Sequence, residues 1–581
     1  MKSIFSYHNT VDNTGCSRNT LLKSAKMLAL SIILALFLPM FSCTSLDEIN
    51  EDPNNPVDVP SNYILTYVLT NLSKNYTSLG NYSSNLAGTL QYVQVGITFD
   101  ASRVNYYDWG TGSWSGYYDL LRNIEIINKN AVRDANPLYE AISLTLRAFI
   151  FGMMSDLFGD CPYSESLQAS SELYFPKYDD QKEIYKGVLT DLSNANKLLS
   201  QSNISSYSIA SGDVLYSGNI ERWRKFTNSL RLRYCMRLLN KQTDMNALGI
   251  NIITEFNDAA TYAFTSNSDN AKVSYIGTTA ANSFQGGALN SANPPYSTKP
   301  CATMVDTLKS QNDPRLYRWL NPVLHKWDYN TTKVTAKTVK NIFGDPFSVE
   351  YWPATLADKV DTSLYIGLPM GLPLNTTLNF NKGTDNTTYP TERSPFISYL
   401  HDRFRKNVET YVQMDLMSYS EVEFLLSEAA LRGNFSVTGT AEDHYKNGIV
   451  ASMNRWGITD GANSFSFSKY YSSAKVNYSA ATNKLERILL QKWISSWLGI
   501  EPWFDWRRTG YPNLKPGPVA QYGAAMPLRF MYPSPNQDAK YLVNYNAAVE
   551  KLEVTTYVPT GQSKDHSYSK MWLLQGTNKP Y

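Results

Sequence analysis

The stretch YSEVEFLLSEAALRGNFSVTGTAEDHYKNGIVASMNRWG, residues 419–457, decides the fold class. Its first part, 419–432, repeats apolar residues every three to four positions, which is the spacing of one face of an α-helix. Gly433 follows, and glycine commonly ends a helix. Residues 441–457 return to the same periodicity, with an apolar stripe made of Tyr445, Ile449, Met453 and Trp456. The stretch predicts two helices joined by a turn.

Two further segments show helical periodicity. Residues 181–200 and 222–240 each carry one continuous apolar stripe. The stripes consist of Ile184, Val188, Leu192, Ala195 and Leu199, and of Trp223, Phe226, Leu230, Tyr234 and Leu238. Alanines at close-contact positions make the pair within 419–457 resemble a tetratricopeptide unit, although no strict repeat of about 34 residues is present. The sequence therefore predicts a mostly α-helical fold with tetratricopeptide-like helix pairs.

The composition changes between about residues 265 and 415. Gly, Pro, Asn, Thr and Tyr dominate there, and the helical periodicity fades. Loops of this length are usually functional or disordered, and the embedded aromatic residues favour order. We expect residues 63–581 to form one binding domain, a helical scaffold with a loop-rich, irregular lobe inserted at about 265–415.

The start of the chain has the pattern of an export signal. Residues 1–26 are polar and basic, residues 27–41 are almost wholly apolar, and a small residue, Ser42, follows. An apolar run of this length is short for a bilayer span, which needs about 20 residues. We interpret residues 1–42 as a signal peptide; a signal-anchor helix is the alternative.

Cys43 directly follows this signal and resembles the cysteine of a bacterial lipobox. The resemblance implies cleavage before Cys43 and lipidation of its thiol, which would hold the protein at a membrane because each buried methylene contributes about 0.8 kcal/mol. Residues 43–62 contain three prolines and several turn formers, and are expected to be a lipidated tether. The alternative is a secreted protein in which this cysteine occurs by chance.

Charge and composition exclude one class of partner. The net charge is +2, and residues 1–42 contribute four basic and one acidic side chain, which leaves a remainder close to neutral. Such a chain has no electrostatic reason to bind nucleic acid. Aromatic residues make up 13% of the chain, including 41 Tyr and 12 Trp, a composition that suits contact with sugars or peptides.

No motif predicts catalysis. Histidine is scarce, and HExxH, GxSxG, GxxxxGK[ST] and GxGxxG motifs are all missing from the sequence. Clustered carboxylates and the paired arginines of the block EPWFDWRR are interpreted as buried ion pairs; they are Glu421, Glu423, Glu428, Arg507 and Arg508. Cys161, Cys235 and Cys301 allow at most one disulfide and are expected to be buried thiols. No cofactor is predicted, and calcium on Asp361 or Asp385 is left unassigned because no DxDxDG loop is present.

Aromatic residues on loops are the best candidates for ligand contact. Sugar rings pack their C–H faces on Trp and Tyr, so rings on helical stripes are expected in the core instead. The predicted core tryptophans are Trp223, Trp456, Trp493 and Trp497, and Trp114 and Tyr117 are expected to open a helix and pack. The predicted ligand-binding residues are Tyr106, Tyr107, Trp109, Tyr275, Tyr296, Trp319 and Trp327.

Eight blocks in order resemble the SusD/RagB family, specifically its SusD-like branch with a DPN motif after the lipidated cysteine. They are LDEINEDPNNP (46–56), SDLFGDCPYSESL (155–167), ERWRKFTNSLRLRYCMRLLN (221–240), DPRL (313–316), GLPMG (367–371), LMSYSEVEFLLSEAALRG (416–433), ILLQKWISSWLGIEPWFDWRRTGYPNL (488–514) and MPLRFMYPSPNQ (526–537). The blocks cover nearly the whole chain after the signal.

The resemblance implies a SusD-like fold and a nutrient-binding lipoprotein at the exterior of the outer membrane. It also implies that the protein catalyses nothing and delivers a ligand, usually a glycan and sometimes a peptide, to a TonB-dependent transporter of the SusC type. Two other functions stay open on the residues alone. A surface glycan hydrolase would release sugar products, and a scaffold subunit of the transporter complex would assemble without ligand affinity.

Overall fold

α-Helices are the main regular structure of the protein in a computed structural model. It describes residues 59–80, 85–95, 109, 111–209, 211–279, 282–284, 298–385, 394–405, 411–463, 465–520, 526–535 and 538–577. The predicted signal peptide, Cys43 and most of the predicted tether lie outside these residues. Residues from Ser61 onward form one compact unit.

The helices are α1 (Ser61–Ser78), α2 (Asn85–Thr89), α3 (Ser115–Arg133), α4 (Pro137–Phe158), α5 (Gln181–Leu199), α6 (Ile220–Arg237), α7 (Gln242–Ala247), α8 (Ile252–Ala260), α9 (Ala302–Gln311), α10 (Leu316–Trp319), α11 (Leu374–Asn379), α12 (Tyr419–Arg432), α13 (Ala441–Arg455), α14 (Phe467–Tyr471), α15 (Lys484–Ser495), α16 (Glu501–Thr509) and α17 (Ala539–Glu550). The strands are β1 (Val93–Val95), β2 (Ala271–Ser274), β3 (Thr298–Pro300), β4 (Leu320–Asn321), β5 (His325–Asp328), β6 (Thr335–Lys340), β7 (Pro346–Pro353), β8 (Tyr399–Leu400) and β9 (Gln413–Met417).

The predicted helix pair at 419–457 is confirmed as α12 and α13. The Ser418 side chain accepts a hydrogen bond from the Glu421 amide at the start of α12, and Gly433 ends it with a left-handed φ of 74°. The two helices approach closely at Gly448, because a Cβ there would lie 2.9 Å from the Phe424 ring. The Ser420 hydroxyl donates to the Gly448 carbonyl at 2.7 Å.

The centre of the scaffold is α4. By length and apolar composition this helix could cross a membrane, but 94% of its most apolar window is buried inside the protein, as in a core helix. Asn136 begins it by accepting hydrogen bonds from two backbone amides. It packs between α3 and α5, and α6 lies against it through a hydrogen bond between Thr145 and Thr227 at 2.9 Å. The predicted helices 181–200 and 222–240 are confirmed as α5 and α6.

Buried arginines join the helices through carboxylates, as the sequence predicts for the clustered acidic residues. Arg508 of α16 donates two hydrogen bonds to Glu428 of α12, at 2.6 and 2.7 Å. Arg233 of α6 does the same for Glu421, at 2.8 Å for both bonds. Desolvation of such charges is offset only when every donor finds an acceptor, which fixes the helix register.

The predicted loop-rich lobe contains short strands. Strand β7 pairs in parallel with β5 and antiparallel with β6, so the order in that sheet is β5–β7–β6. Strands β2 and β9 pair antiparallel and place Lys272 opposite Asp415. The β2–β9 ribbon packs against α1. It therefore connects the lobe to the helical scaffold.

The three cysteines within the described residues are buried and unpaired with one another, which confirms the prediction of buried thiols. Trp223, Trp493 and Trp497 are also buried, as predicted. Trp114 precedes α3 and packs edge-on against Phe158 at 5.9 Å, also as predicted. Trp456, which was also predicted to be buried, is only half-buried.

Candidate functional site

Three of the predicted ligand-binding rings lie in the interior. The exposed fraction is 1% for Trp109, 0% for Trp319 and 2% for Trp327. Trp319 stacks on Trp497 at 4.8 Å, and Trp327 stacks on Phe396 at 4.6 Å. These rings offer no free face to a sugar in this conformation, which corrects the expectation that loop aromatics lie at the surface.

Trp109 is covered in the same way, with Phe530 at 4.6 Å and Trp503 at 5.3 Å between ring centroids. The physical reason is shared by all three positions: the lobe and its neighbouring segments are packed by aromatic side chains, and Trp319 and Trp327 lie in the short elements α10 and β5 rather than in loops. Tyr106, Tyr107 and Tyr296 lie outside the described residues, as does Cys43.

Tyr275 is the one predicted ring within the described residues that borders a cleft. Two adjoining clefts, with volumes of about 90 and 70 Å³, share seven residues on one wall. We call the two together the Asp415 cleft. Its principal side chains are Tyr76, Tyr275, Phe284, Phe404, Gln413, Asp415, Arg455, Trp456 and Trp497.

Four elements position these side chains. Strand β9 alternates its residues, so Gln413 and Asp415 point away from the buried side while Met414 and Leu416 point inward. Arg455 is the last residue of α13, and Trp456 caps that helix. The turn between α15 and α16 adds Trp497, and Tyr76 comes from α1.

An ion pair lies at the centre of the Asp415 cleft. Arg455 Nη2 donates to Asp415 Oδ2 at 3.0 Å, and Arg455 Nη1 donates to the Tyr411 carbonyl at 3.4 Å. The Asp415 side chain is 36% exposed and that of Arg455 is 11% exposed. The pair is thus shielded on the protein side and open on the other.

Several polar atoms around this pair have no hydrogen-bond partner within the described part of the chain. They are Asp415 Oδ1, Arg455 Nε, Trp497 Nε1 and Asn267 Oδ1. An unsatisfied buried donor or acceptor costs about 1–3 kcal/mol, so a concentration of them in one cleft indicates a place where a ligand or water completes the bonding.

Aromatic rings surround the same cleft. The half-buried Trp456 ring packs edge-on against Trp319 at 5.8 Å and Tyr411 at 5.5 Å, and the Arg455 guanidinium lies 4.8 Å from its centroid. Tyr275 contacts Phe284 edge-on at 6.1 Å, and burial raises the pKa of Tyr275 to about 12. Its hydroxyl is therefore neutral at physiological pH and can donate a hydrogen bond.

Two further carboxylates at the base of the cleft are occupied by partners. Glu421 accepts the two Arg233 bonds already described, and Glu501 accepts from Arg237 at 2.5 Å. Tyr76 also donates to Glu501 at 2.9 Å. Although burial alone would raise the pKa of Glu501, the neighbouring arginine charges hold it below its usual value. Among the described residues, no three His, Cys, Asp or Glu side chains converge on a possible metal position.

Sequence patterns alone did not identify Asp415, Arg455 or Trp456 as site residues. Trp456 lies on the apolar stripe of α13, and periodicity assigns such a residue to the core. The missed signal is positional: Trp456 lies at the helix end, where a stripe residue can leave the core. Asp415 was missed because nothing in a short strand tells which acidic residue faces a cavity.

The fold and the sequence agree on the family. A family model described as "Starch-binding associating with outer membrane", SusD-like, matches residues 53–337 and 318–533. This chain belongs to that SusD-like family of outer-membrane-associated binding proteins.

Solved structures of related proteins have the same fold. A SusD homologue from Bacteroides fragilis aligns with a TM-score of 0.69 and 22% identity, over 89% of this chain and 100% of its own. An outer membrane protein from Bacteroides vulgatus, whose name refers to nutrient binding, aligns with a TM-score of 0.67 and 24% identity. The alignment covers 89% of this chain and 100% of that protein. A chitin-binding protein aligns with a TM-score of 0.64 and 24% identity, over 88% of this chain and 99% of its own. No curated protein sequence matches the chain.

Proposed function

We propose that this chain captures an oligosaccharide in the Asp415 cleft and delivers it to a TonB-dependent transporter of the SusC type. The observation that carries the proposal is the set of unpaired polar atoms within an aromatic-lined cleft. Sugars present C–H faces that pack on rings and hydroxyls that need donors and acceptors, so this combination matches their chemistry.

The small enclosed volume supports a shallow site. About 90 and 70 Å³ of space for water centres correspond to several water molecules each, since about 10–15 Å³ on that measure holds one. A saccharide would therefore insert one edge and leave the rest outside. Such contacts suit an affinity between micromolar and millimolar, about −8 to −4 kcal/mol, from which a ligand is readily released to a transporter.

We infer that the protein is not an enzyme. A glycosidase needs two carboxylates across the scissile bond, one of them protonated. Of the three carboxylates that line the cleft, Glu421 and Glu501 are tied to arginines, and Asp415 is paired with Arg455. Because each of the three carboxylates is engaged by an arginine, none is free to take the two roles of a glycosidase, and this supports binding rather than hydrolysis.

The family and the predicted signal support a location at the outer membrane. We propose that Cys43 carries the lipid anchor and that the binding domain faces the cell exterior. Tyr106, Tyr107 and Tyr296 remain proposed ligand contacts, together with Tyr275 in the cleft wall. Globomycin treatment of expressing cells, which blocks lipoprotein processing, should leave the precursor uncleaved, as should Cys43→Ser.

Binding and turnover of a neutral glycan panel test the function directly. Trp456→Ala removes the half-exposed ring of the cleft and should weaken binding about two- to tenfold, since stacking of an aromatic ring contributes about 0.5–1.5 kcal/mol beyond its buried area. Trp352→Ala is the matched control, because Trp352 is also half-buried but lies on β7. If the wild type and Trp456→Ala bind the glycans equally well, the proposed site is wrong. If the protein releases sugar products from the panel, the hydrolase is favoured instead.

A further inference from the structure

A second pocket shares no lining residue with the Asp415 cleft. It lies between the first turn of α5, the end of α17 and residues 571–575, and we call it the Tyr532 pocket. Its space for water centres is about 210 Å³, more than twice that of either part of the Asp415 cleft. Since about 10–15 Å³ on this measure holds one water, there is room for at least about a dozen, which equals the number of non-hydrogen atoms in a hexose.

The hydroxyl of Tyr532 is held at this pocket without a hydrogen bond. Tyr532 is only 1% exposed, and its hydroxyl has no hydrogen-bond partner among the described residues. The hydroxyl and Met571, another lining residue, both lie within 4 Å of the position of a Cβ at Gly159. The ring itself is fixed, because the Arg529 guanidinium lies 4.3 Å from its centroid and Tyr178 packs edge-on at 5.6 Å.

This hydroxyl is a donor at physiological pH. Burial raises the pKa of Tyr532 well above its usual value of 10, although the charge of Arg529 opposes the shift. Buried donors in proteins almost always have an acceptor, and a molecule in the pocket can supply one here.

The charged side chains that line the pocket balance one another. Lys551 donates to Asp160 at 3.1 Å and also pairs with Asp180. Within the described part of the chain, Lys182 forms no ion pair and Asp180 Oδ2 accepts no hydrogen bond. Two carboxylates and two ammonium groups leave no net charge, so the pocket favours a neutral ligand that can both donate and accept.

The remaining walls are apolar. Ala548, Leu552 and Met571 are buried, and Trp572 is half-buried. The Trp572 indole nitrogen donates to Asp244 at 2.8 Å, which fixes the orientation of its ring. A fixed aromatic ring beside free donors and acceptors matches the C–H faces and hydroxyls of a sugar.

We propose that the Tyr532 pocket is a second binding site, which holds one neutral sugar residue. One sugar hydroxyl accepts a hydrogen bond from Tyr532, another donates to Asp180, and the C–H groups of the ring pack against Trp572. The site goes beyond the proposed function, because it requires nothing of the Asp415 cleft.

Saturation-transfer NMR titrations on the detergent-solubilised protein provide the test. The probes are the methyl glycosides of glucose, galactose, mannose, xylose and N-acetylglucosamine, which are single uncharged rings. Each titration is made with the wild type and with Trp456→Ala, in which the Asp415 cleft is impaired. We expect at least one glycoside to bind both proteins equally well, with a dissociation constant in the millimolar range.

Tyr532→Phe locates that binding, because it removes the free hydroxyl and keeps the packed ring. Introduced into Trp456→Ala, it should weaken glycoside binding about two- to tenfold, the effect of one lost hydrogen bond, and leave the melting temperature unchanged. Tyr557→Phe is the matched control. The hydroxyl of the half-buried Tyr557 also has no hydrogen-bond partner among the described residues, but this residue does not line the pocket.

A second variant keeps the test open if Tyr532→Phe does not fold. Lys182→Met removes the unpaired ammonium from the pocket and keeps most of the side chain. It should also weaken glycoside binding, by less than Tyr532→Phe, because Lys182 is only half-buried.

The outcomes separate this site from the Asp415 cleft. The second site is wrong if none of the five glycosides binds, or if folded Tyr532→Phe binds them as tightly as its parent. It is also wrong if glycoside binding disappears in Trp456→Ala, since the rings then occupy the Asp415 cleft. None of these results removes the proposed function, which depends on the loss of oligosaccharide binding in Trp456→Ala.

Discussion

The helical scaffold and the Asp415 cleft use the same kinds of side chain in opposite ways. In the scaffold, Glu428 is 1% exposed and its carboxylate accepts bonds from Arg508 and Arg432. In the cleft, Asp415 and Arg455 pair through one hydrogen bond, and Oδ1 and Nε have no partner in the part of the chain that the structure describes. The bonds to Glu428 fix α12 against α16, whereas the open atoms of the Asp415 pair lie where a ligand can reach the cleft.

The largest effect that would test this comparison is expected for Glu428→Gln. The substitution leaves Arg508 buried without its full counter-charge, and breaking such a pair costs about 3–5 kcal/mol. Urea denaturation followed by circular dichroism measures the loss. Asp415→Asn is the matched control and should change the free energy of unfolding by less than about 1 kcal/mol, because its pair is partly exposed. Similar losses in the two variants would contradict the distinction.

A smaller effect tests how closely the scaffold is packed. In Gly448→Ala the new methyl group would meet the Phe424 ring at 2.9 Å, and overpacking of this kind costs about 1–3 kcal/mol. Gly116→Ala provides the contrast within α3, since its Cβ would meet only Asn75 at an ordinary 3.6 Å. Replacing that helical glycine should stabilise the protein by about 0.5–1 kcal/mol. Thermal denaturation measures both effects. If the melting temperature shifts in the same direction in Gly448→Ala and Gly116→Ala, the close contact at Gly448 is refuted.

The smallest expected effect is the pH dependence from His444. Burial lowers its pKa, but the hydrogen bond and charge of Glu423 outweigh burial and raise the pKa above 6.5. A raised pKa in the folded state stabilises the protein below pH 6.5, and that stabilisation is lost as pH rises through the folded value.

Melting temperatures at pH 5.5 and 8.5 measure this contribution. Relative to His444→Gln, the wild type should lose on the order of 1 °C between the two pH values. His401 has the opposite sign, because burial lowers its pKa to about 4, but it is present in both proteins and cancels in the comparison. If the difference in melting temperature between the wild type and His444→Gln is the same at pH 5.5 and 8.5, a stabilising His444–Glu423 pair is excluded.

Local pattern predicted the scaffold well. The periodicity of 419–457 located α12 and α13, and Gly433 marked the end of the first helix. The acidic cluster and the paired arginines were predicted as buried ion pairs because charged residues on packed helices need partners. These features depend on neighbours within a few turns or on the chemistry of single residues.

Exposure in the lobe was not predictable in the same way. Trp319 ends the short helix α10 and Trp327 lies on strand β5, and each stacks on a ring distant in sequence, at positions 497 and 396. Trp456 shows the converse, since it follows a core stripe but only half of its surface is buried. Packing against residues distant in the sequence decided the exposure of all three rings.

The sequence by itself determined the helical scaffold, the family and the pairing of buried charge, because helical periodicity and residue chemistry are local properties. Only the tertiary structure decided which polar atoms lack partners and which rings border a cleft. Those properties depend on the meeting of β9, the end of α13 and the turn before α16, segments whose mutual distances no local pattern encodes.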